Sequence, residues 1–328
     1  MINLGELSIK YGGKVKPLIL PLDKIKGPSL TNCSIYSDEH NIYINIRNLN
    51  YVLYHSENGT MEHPWGPLVY LHEENNLRLV THNILCKLNN NLDIIASEII
   101  DTSLLDKDPL WEFVGLEDAR IIRWNNIFYL SGVRRDTTTN GQGRMELSEI
   151  EITNNKVREI SRTRIPAPFP DTSYCEKNWM PILDQPYTYV KWCNPTEVVR
   201  YNPTDNSCKT IFLGDFIDYH TNDFRGGSQV INYKGYYIAI IHETQLFNSE
   251  AGRKNGIYSH RFVVWDTNWN LIEFSQPFTF LNGLIEFCCG MTIKDDQLLI
   301  TFGFQDNAAF VLSVSTRVLF DLLKTYAN

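Results

Sequence analysis

A chain of 328 residues with a net charge of -8, 43% hydrophobic and 21% charged residues reads as a soluble globular protein with room for a large core. The acidic balance and the lack of any long Lys/Arg run exclude a nucleic-acid polyanion as the main partner. Seven cysteines (Cys33, Cys86, Cys175, Cys193, Cys208, Cys288 and Cys289) show neither a disulfide framework nor zinc-ligand spacing. Reduced, mostly buried thiols and no metal are expected. With no signal-peptide pattern and no apolar stretch long enough to span a membrane, the expectation is a cytoplasmic protein.

Taken along the chain, one unit recurs five times: a polar approach, a short strand, a turn rich in Asn, Asp or Gly, then a strongly apolar strand. The copies span residues 35–54, 119–133, 180–192, 228–242 and 291–304. Their turns are read at Asn48-Leu49-Asn50, Asn125-Asn126, Asp184-Gln185-Pro186, Lys234-Gly235 and Lys294-Asp295-Asp296. Further β-like runs at 145–152, 210–213 and 261–265 lie between them, and the one convincing helical pattern is at 318–326. Many short strands, regular turns and five copies predict an all-β, five-bladed β-propeller with a site on its central axis. It is read as one domain over 1–328, with an N-terminal segment at 1–30 and a short C-terminal helix at 318–328. Two packed β-sandwiches are the alternative, and they would not require five similar units.

In such a fold the starts of the innermost strands converge. Asn45 and Arg47, then Glu117, Asp118 and Arg120, then Glu176, Lys177 and Asn178, then Arg225, Gly226 and Gly227, and finally Cys289 and Gly290 would share one pocket. The second group is the most informative. Two carboxylates and an arginine stand almost consecutively before the run Ile121-Ile122, and strand alternation predicts that Glu117 and Asp118 point in opposite directions. A solvated strand end with a surface ion pair is the bland alternative.

The phrases at these positions resemble glycoside hydrolase family 130, the β-mannoside phosphorylases and their relatives. Gly115-Leu116-Glu117-Asp118-Ala119-Arg120 is similar to the family motif G-x-E-D-P-R, and Glu176-Lys177-Asn178-Trp179-Met180-Pro181 to its K-N phrase. Gly226-Gly227-Ser228-Gln229-Val230-Ile231, followed by His242, resembles its G-G-x-P-P-I strand, and Cys289-Gly290-Met291 with Gln305-Asp306 its last-blade pattern. The matches run in order over residues 35–315. Ala119 and Gln229 stand where the motifs have proline.

The resemblance implies an inverting carbohydrate-active enzyme on β-linked mannosides or related glycans, exchanging a glycosyl group with phosphate. It implies that Asp118 is the general acid, with Glu117 beside it, and that inorganic phosphate or a sugar phosphate is co-substrate without any cofactor. Arg134 or Arg135, Arg144, Lys177 and His242 are then the candidate phosphate ligands. Trp65, Trp111, Trp179 and Tyr258 are candidate sugar-stacking groups, and His260 and Arg261 candidates for an anionic donor. A hydrolase would need a further carboxylate to activate water, with Glu243 and Asp306 available. A glycosyltransferase building a surface glycan and a noncatalytic glycan-binding propeller are the other classes; a homo-oligomer is compatible with all three.

Overall fold

Three of the tight turns are built from two successive residues in the left-handed region: Asn125-Asn126 (φ 51° and 67°), Lys234-Gly235 (51° and 82°) and Asp295-Asp296 (49° and 58°). That conformation matches the twist of paired strands and selects Asn, Asp and Gly. The computed structural model describes residues 1–54, 61–62, 69–72, 77–153, 156–218, 224–248 and 254–327. The turn expected at Asn48–Asn50 is not where the first hairpin reverses. Strands Ser29–Ser37 and Ile42–Leu49 join through residues 38–41, while Asn48 is a buried strand residue whose amide bonds the carbonyls of Gly27 and Ser29.

The described strands form five sheets of four or more strands and one small three-stranded sheet. The first sheet holds Ser29–Ser37, Ile42–Leu49, Leu79–Leu88, Ile94–Ile99 and Phe113–Val114. The second is a plain antiparallel meander of Glu117–Trp124, Ile127–Arg134, Arg144–Ile152 and Val157–Arg164. The third repeats that order with Met180–Pro181, Thr188–Cys193, Thr196–Asn202 and Ser207–Leu213. The fourth is built around the long pair Tyr236–Asn248 and Lys254–Trp265, with Phe224–Gly226 and Ile231–Tyr233 on its inner side. In the fifth, Glu286–Lys294, Gln297–Phe304 and Ala308–Ser315 take their outer strand, Lys14–Pro17, from the other end of the chain.

Both faces of each of the five large sheets are apolar, because each packs on two neighbours. Leu85 meets Ile121 and Leu130 between the first and second sheets, and Trp124 and Met145 meet Trp179 and Tyr189 between the second and third. Val190 and Val198 meet Ile241 and Val263 between the third and fourth. Ile240 and Phe262 meet Met291 and Phe302 between the fourth and fifth, and Cys33 and Ile44 meet Leu299 and Val311 between the fifth and the first. This all-β chain is a β-propeller arrangement, as the repeated unit led one to expect.

Helix is sparse. Val318–Leu322 and Lys324–Ala327 occupy the C-terminal region expected to be helical. Leu4–Lys10 was not foreseen; Asn3 caps it, accepting the Glu6 amide at 3.0 Å. No helix among the described residues is long and apolar enough to cross a membrane. All seven cysteines are free thiols, six of them buried.

Where the motif has proline, Gln229 is fully buried and bonds three sheets together. Its amide nitrogen donates to the carbonyls of Ile35 and Ile121, each at 2.8 Å, and its amide oxygen accepts the Met291 amide at 3.1 Å. Side chains at Gly226 and Gly290 would collide with the backbones of Asn178 and of Ser34 and Ile35. The inner strands therefore approach as closely as only glycine allows.

Candidate active site

The regular strand ladder breaks where the inner strands begin. Pairing shifts between Thr31 and Ser34, between Glu117 and Arg120, and between Cys288 and Gly290. Asn32 and Asp118 sit within two of these shifts, and Asn178 lies just before Met180–Pro181, with φ of 41°, 50° and 61°. A bulge of this kind re-aims side chains. It overturns the alternation expected for Glu117 and Asp118, since both turn to the same guanidinium, that of Arg47.

Arg47 is buried in the first sheet with its donors assigned in several directions. Nη1 donates to Asp118 Oδ1 at 2.9 Å, Nη2 lies 3.4 Å from Glu117 Oε2 and 3.2 Å from the Tyr51 hydroxyl, and Nε donates to Thr81 Oγ1 at 3.2 Å. Asn32 adds a second donor to Asp118 Oδ1 at 2.8 Å. Burial alone would raise the Asp118 carboxyl; Arg47, Arg120, the Asn32 hydrogen bond and Lys177 outweigh it and hold the group below the usual carboxylate range. Glu117 moves the other way. Burial raises it, Arg47 opposes, Asp118 adds to the rise, and its Oε1 is buried without a hydrogen-bond partner.

Asp306, on the turn between Gln297–Phe304 and Ala308–Ser315, supplies a third carboxyl from the fifth sheet. Burial pushes it up to about 6, with Arg47 opposing and the Asp118 charge reinforcing. From the fourth sheet come Arg225 and Tyr258. Tyr258 is pushed up to about 12 by burial and by the charges of Asp306 and Asp118, and its ring stacks on His242 at 5.6 Å. His242 is held well below the usual histidine range by burial first, then by His260, Arg225, Arg120 and Lys177. It is a neutral imidazole beside cations. Lys177, from the third sheet, is exposed, has no ion pair or hydrogen bond among the described residues, and acts electrostatically on Glu117, Asp118 and His242. Beside it, Asn178 is buried with its Oδ1 unpartnered.

The other residues singled out from the sequence lie elsewhere. Asn45 is fully buried, bonding Asn83 and the Ala119 carbonyl, so it braces the bulge from below. Arg120, equally buried, spends its donors on the backbone carbonyls of Gly227 and Asp118. Arg134 faces the first sheet, pairing with Glu146 at 2.5 Å and Asp136 at 3.3 Å. It lines a cavity of about 950 Å³ between the first and second sheets, where Arg162 is likewise paired, with Glu159 and Asp106. Arg135 faces the opposite way, as adjacent strand residues do. Its donors reach the Gly141 carbonyl at 3.0 Å and the Tyr174 hydroxyl at 3.2 Å, and its charge acts on Glu117.

Arg144 clamps the following loop through Asp171 and the Ser173 carbonyl. Arg261 is ion-paired to Glu243, which removes that carboxylate as a free base. Both side chains face the third sheet, whereas His242 and His260, on the alternate positions, face the fifth. His260 is buried among Phe278 and Phe280, with neither ring nitrogen bonded and its ionisation pushed down to about 3 by burial. Trp179 is a core residue bonded to Glu176, Trp111 packs against Gly141, and Trp65 lies outside the described residues. Sequence reasoning missed Asn32, Tyr51 and Thr81, which fix Asp118 and Arg47; the place of Asn32 in the polar approach just before the first repeat was the available signal. No group of three or more His, Cys, Asp or Glu among the described residues is placed to hold a metal.

No protein-family model and no curated protein matches the sequence. Solved structures do. The chain is similar to a β-1,2-mannobiose phosphorylase from Listeria innocua in complex with β-1,2-mannobiose: 13% identity, 95% of this chain and 97% of that one covered, TM-score 0.55. It is also similar to MPT-4, a mannose phosphorylase from Leishmania mexicana in complex with phosphate: 12% identity, 95% and 92% covered, TM-score 0.50. A third is a structure from the GH130 family of mannoside phosphorylases, described with glycoside hydrolases that target β-1,2 mannosidic linkages in Candida mannan: 13% identity, 92% of each chain covered, TM-score 0.59. At these identities the likeness is one of fold, and this chain has the propeller fold of the mannoside phosphorylases and their glycoside hydrolase relatives.

Proposed function

We propose that this chain is an inverting enzyme that moves a glycosyl group between a β-linked mannoside, or a related glycan, and phosphate. The site would lie on the axis of a single domain whose five large sheets are five blades. The observation that carries this reading is a division of charge within one site. Glu117 and Asp118 are committed to Arg47, with Asp306 in its field, whereas Lys177 has no ion pair among the described residues and acts on Glu117, Asp118 and neutral His242.

That division suits phosphorolysis. A phosphate oxygen held by Lys177, with Arg225 and Arg135 adding positive field, attacks the anomeric carbon. The glycosidic C–O bond breaks, and the leaving oxygen takes a proton from Asp118. One attack from the opposite face inverts the anomeric centre and yields a sugar phosphate and a shortened glycan. Neutral His242 can donate a hydrogen bond to an anion without adding charge. Asp118 is ionised at rest, so it must gain a proton before it acts.

A panel of β-mannosides and activated sugars, incubated with and without inorganic phosphate and read by product analysis, tests the proposal. Sugar phosphate formed only with phosphate is the expected result. Turnover that needs a sugar nucleotide and ignores phosphate would move the reaction to glycosyl transfer.

A further inference from the structure

We propose that Asp136 is a positioning residue for the reaction: it holds the turn through which the chain enters the Asp118 bulge, and so keeps the Asp118 carboxyl aimed at the leaving oxygen. This rests on the reading of Asp118 as the proton donor.

The stretch leading into Asp118 is fastened from two sides. On the first sheet, Phe113–Val114 pairs in parallel with Leu79 and Val80, and Asn83 Nδ2 donates to the Leu116 carbonyl at 3.0 Å. On the second sheet, Asp136 lies just past the end of Ile127–Arg134. Its Oδ2 accepts the Gly115 amide at 2.8 Å, and its carbonyl accepts the Leu110 amide at 2.8 Å. Gly115 stands three residues ahead of Asp118 and turns the chain with φ of 98°. The strand ladder does not hold Asp118 itself, because pairing skips from Glu117 to Arg120. Its aim therefore depends on how the chain enters the bulge, as well as on the bonds from Arg47 and Asn32.

Asp136 is itself buried and held. Arg134 Nη1 reaches the same Oδ2 at 3.3 Å, while Arg134 Nε donates to Glu146 at 2.5 Å. Beside them Arg162 pairs with Glu159 and Asp106 and donates to the Leu105 carbonyl at 3.2 Å. The paired charges along the cavity between the first and second sheets thus clip residues 105–115 to the second sheet. A carboxylate suits this place, because one of its oxygens serves an amide and a guanidinium together. Arg134 bonds Asp136 and Asp136 bonds Gly115, so the two residues can be separated by substitution.

Three variants, assayed below their melting temperatures, test this. Asp136→Ala removes the acceptor for Gly115 and should lower kcat on β-mannobiose roughly ten- to hundredfold at an unchanged KM for phosphate. It should keep most activity on an aryl β-mannoside, whose leaving group needs no proton. Asp136→Asn retains an oxygen for the Gly115 amide and should restore most of the lost rate. Arg134→Met leaves the Gly115 bond in place, so it should lose stability and keep kcat. Should Asp136→Ala fail to fold, adding Arg134→Met removes the buried cation left unpaired, and the double variant is compared with Arg134→Met alone. Equal loss on both substrates, or an Asn variant as slow as the Ala variant, would make Asp136 a structural residue only. Hydrogen exchange at the Gly115 amide, measured without substrate, should be slow in wild type and Asp136→Asn and faster in Asp136→Ala; unchanged exchange overturns the proposal. If wild type turns over neither substrate, the reading of the reaction falls, while the exchange still decides whether Asp136 holds the turn.

Discussion

Arg47 Nη1 and Asp118 Oδ1 stand 2.9 Å apart, joining the first sheet to the bulged edge of the second in a buried ion pair. Removing the cation leaves two carboxylates, Glu117 and Asp118, buried without it. Breaking such a pair costs about 3–5 kcal/mol. Arg47→Met should therefore lose about that much at pH 7 by chemical denaturation. Because Asp118 is held below its ordinary value, its contribution is present above the unfolded value and is lost as pH falls through the folded one. The penalty in Arg47→Met should hold down to about pH 4 and shrink as pH falls further, and a penalty independent of pH would contradict the pairing.

Gln229 offers a test of how the sheets meet. Its amide makes three hydrogen bonds to three different sheets from a fully buried position. Gln229→Ala leaves two carbonyls and one amide unpaired and should cost about 2–4 kcal/mol. Gln229→Glu should be no better at pH 7, because a carboxylate cannot donate to Ile35 and Ile121. A variant of unchanged melting temperature would show that these bonds are dispensable.

Three cations should separate cleanly by substitution. Lys177 is exposed and has no ion pair or hydrogen bond among the described residues, so Lys177→Met should leave stability unchanged and raise the KM for phosphate roughly ten- to hundredfold. Arg134 is buried against buried Glu146, and Arg144 is buried but paired with the exposed Asp171. Methionine at 134 should destabilise by about 3–5 kcal/mol, methionine at 144 by less, and both should affect phosphate affinity far less than Lys177→Met. Thermal unfolding together with phosphate saturation curves would check the contrast.

How much of this was legible depended on how local the cause was. The turns at Asn125-Asn126, Lys234-Gly235 and Asp295-Asp296 could be read because the backbone conformation selects the residues on the spot. Asn48 misled because its side chain also serves as a turn former, although here it bonds Gly27 and Ser29 from within a strand. The convergence of Arg47 and Asp118 followed from the repeat, whereas Asp306 entered only through the resemblance and as a candidate carboxylate for a hydrolase. The inward turn of both Glu117 and Asp118 did not, since a bulge leaves no mark on alternation. Nor could the diversion of Arg120, Arg134 and Arg261 be read, because Gly227, Glu146 and Glu243 become their neighbours only once strands pair.

His260 makes a further expectation. It is buried, unbonded at both nitrogens and ionises only near pH 3 in the fold. A histidine depressed in this way takes up its proton in the unfolded chain first, so stability falls as pH drops below its unfolded value. At pH 5 the cost is about 2 kcal/mol. His260→Phe should flatten the stability profile between pH 7 and pH 5 and gain about that amount at the lower end. An unaltered slope would assign the pH dependence to other groups.

The most direct measurement is product analysis of β-mannosides incubated with wild type and Asp118→Asn, with and without inorganic phosphate. Wild type should release a sugar phosphate of inverted configuration only when phosphate is present, and Asp118→Asn should release none from an unactivated glycan. Release of free sugar at the same rate without phosphate, or full activity in Asp118→Asn, would contradict the assignment.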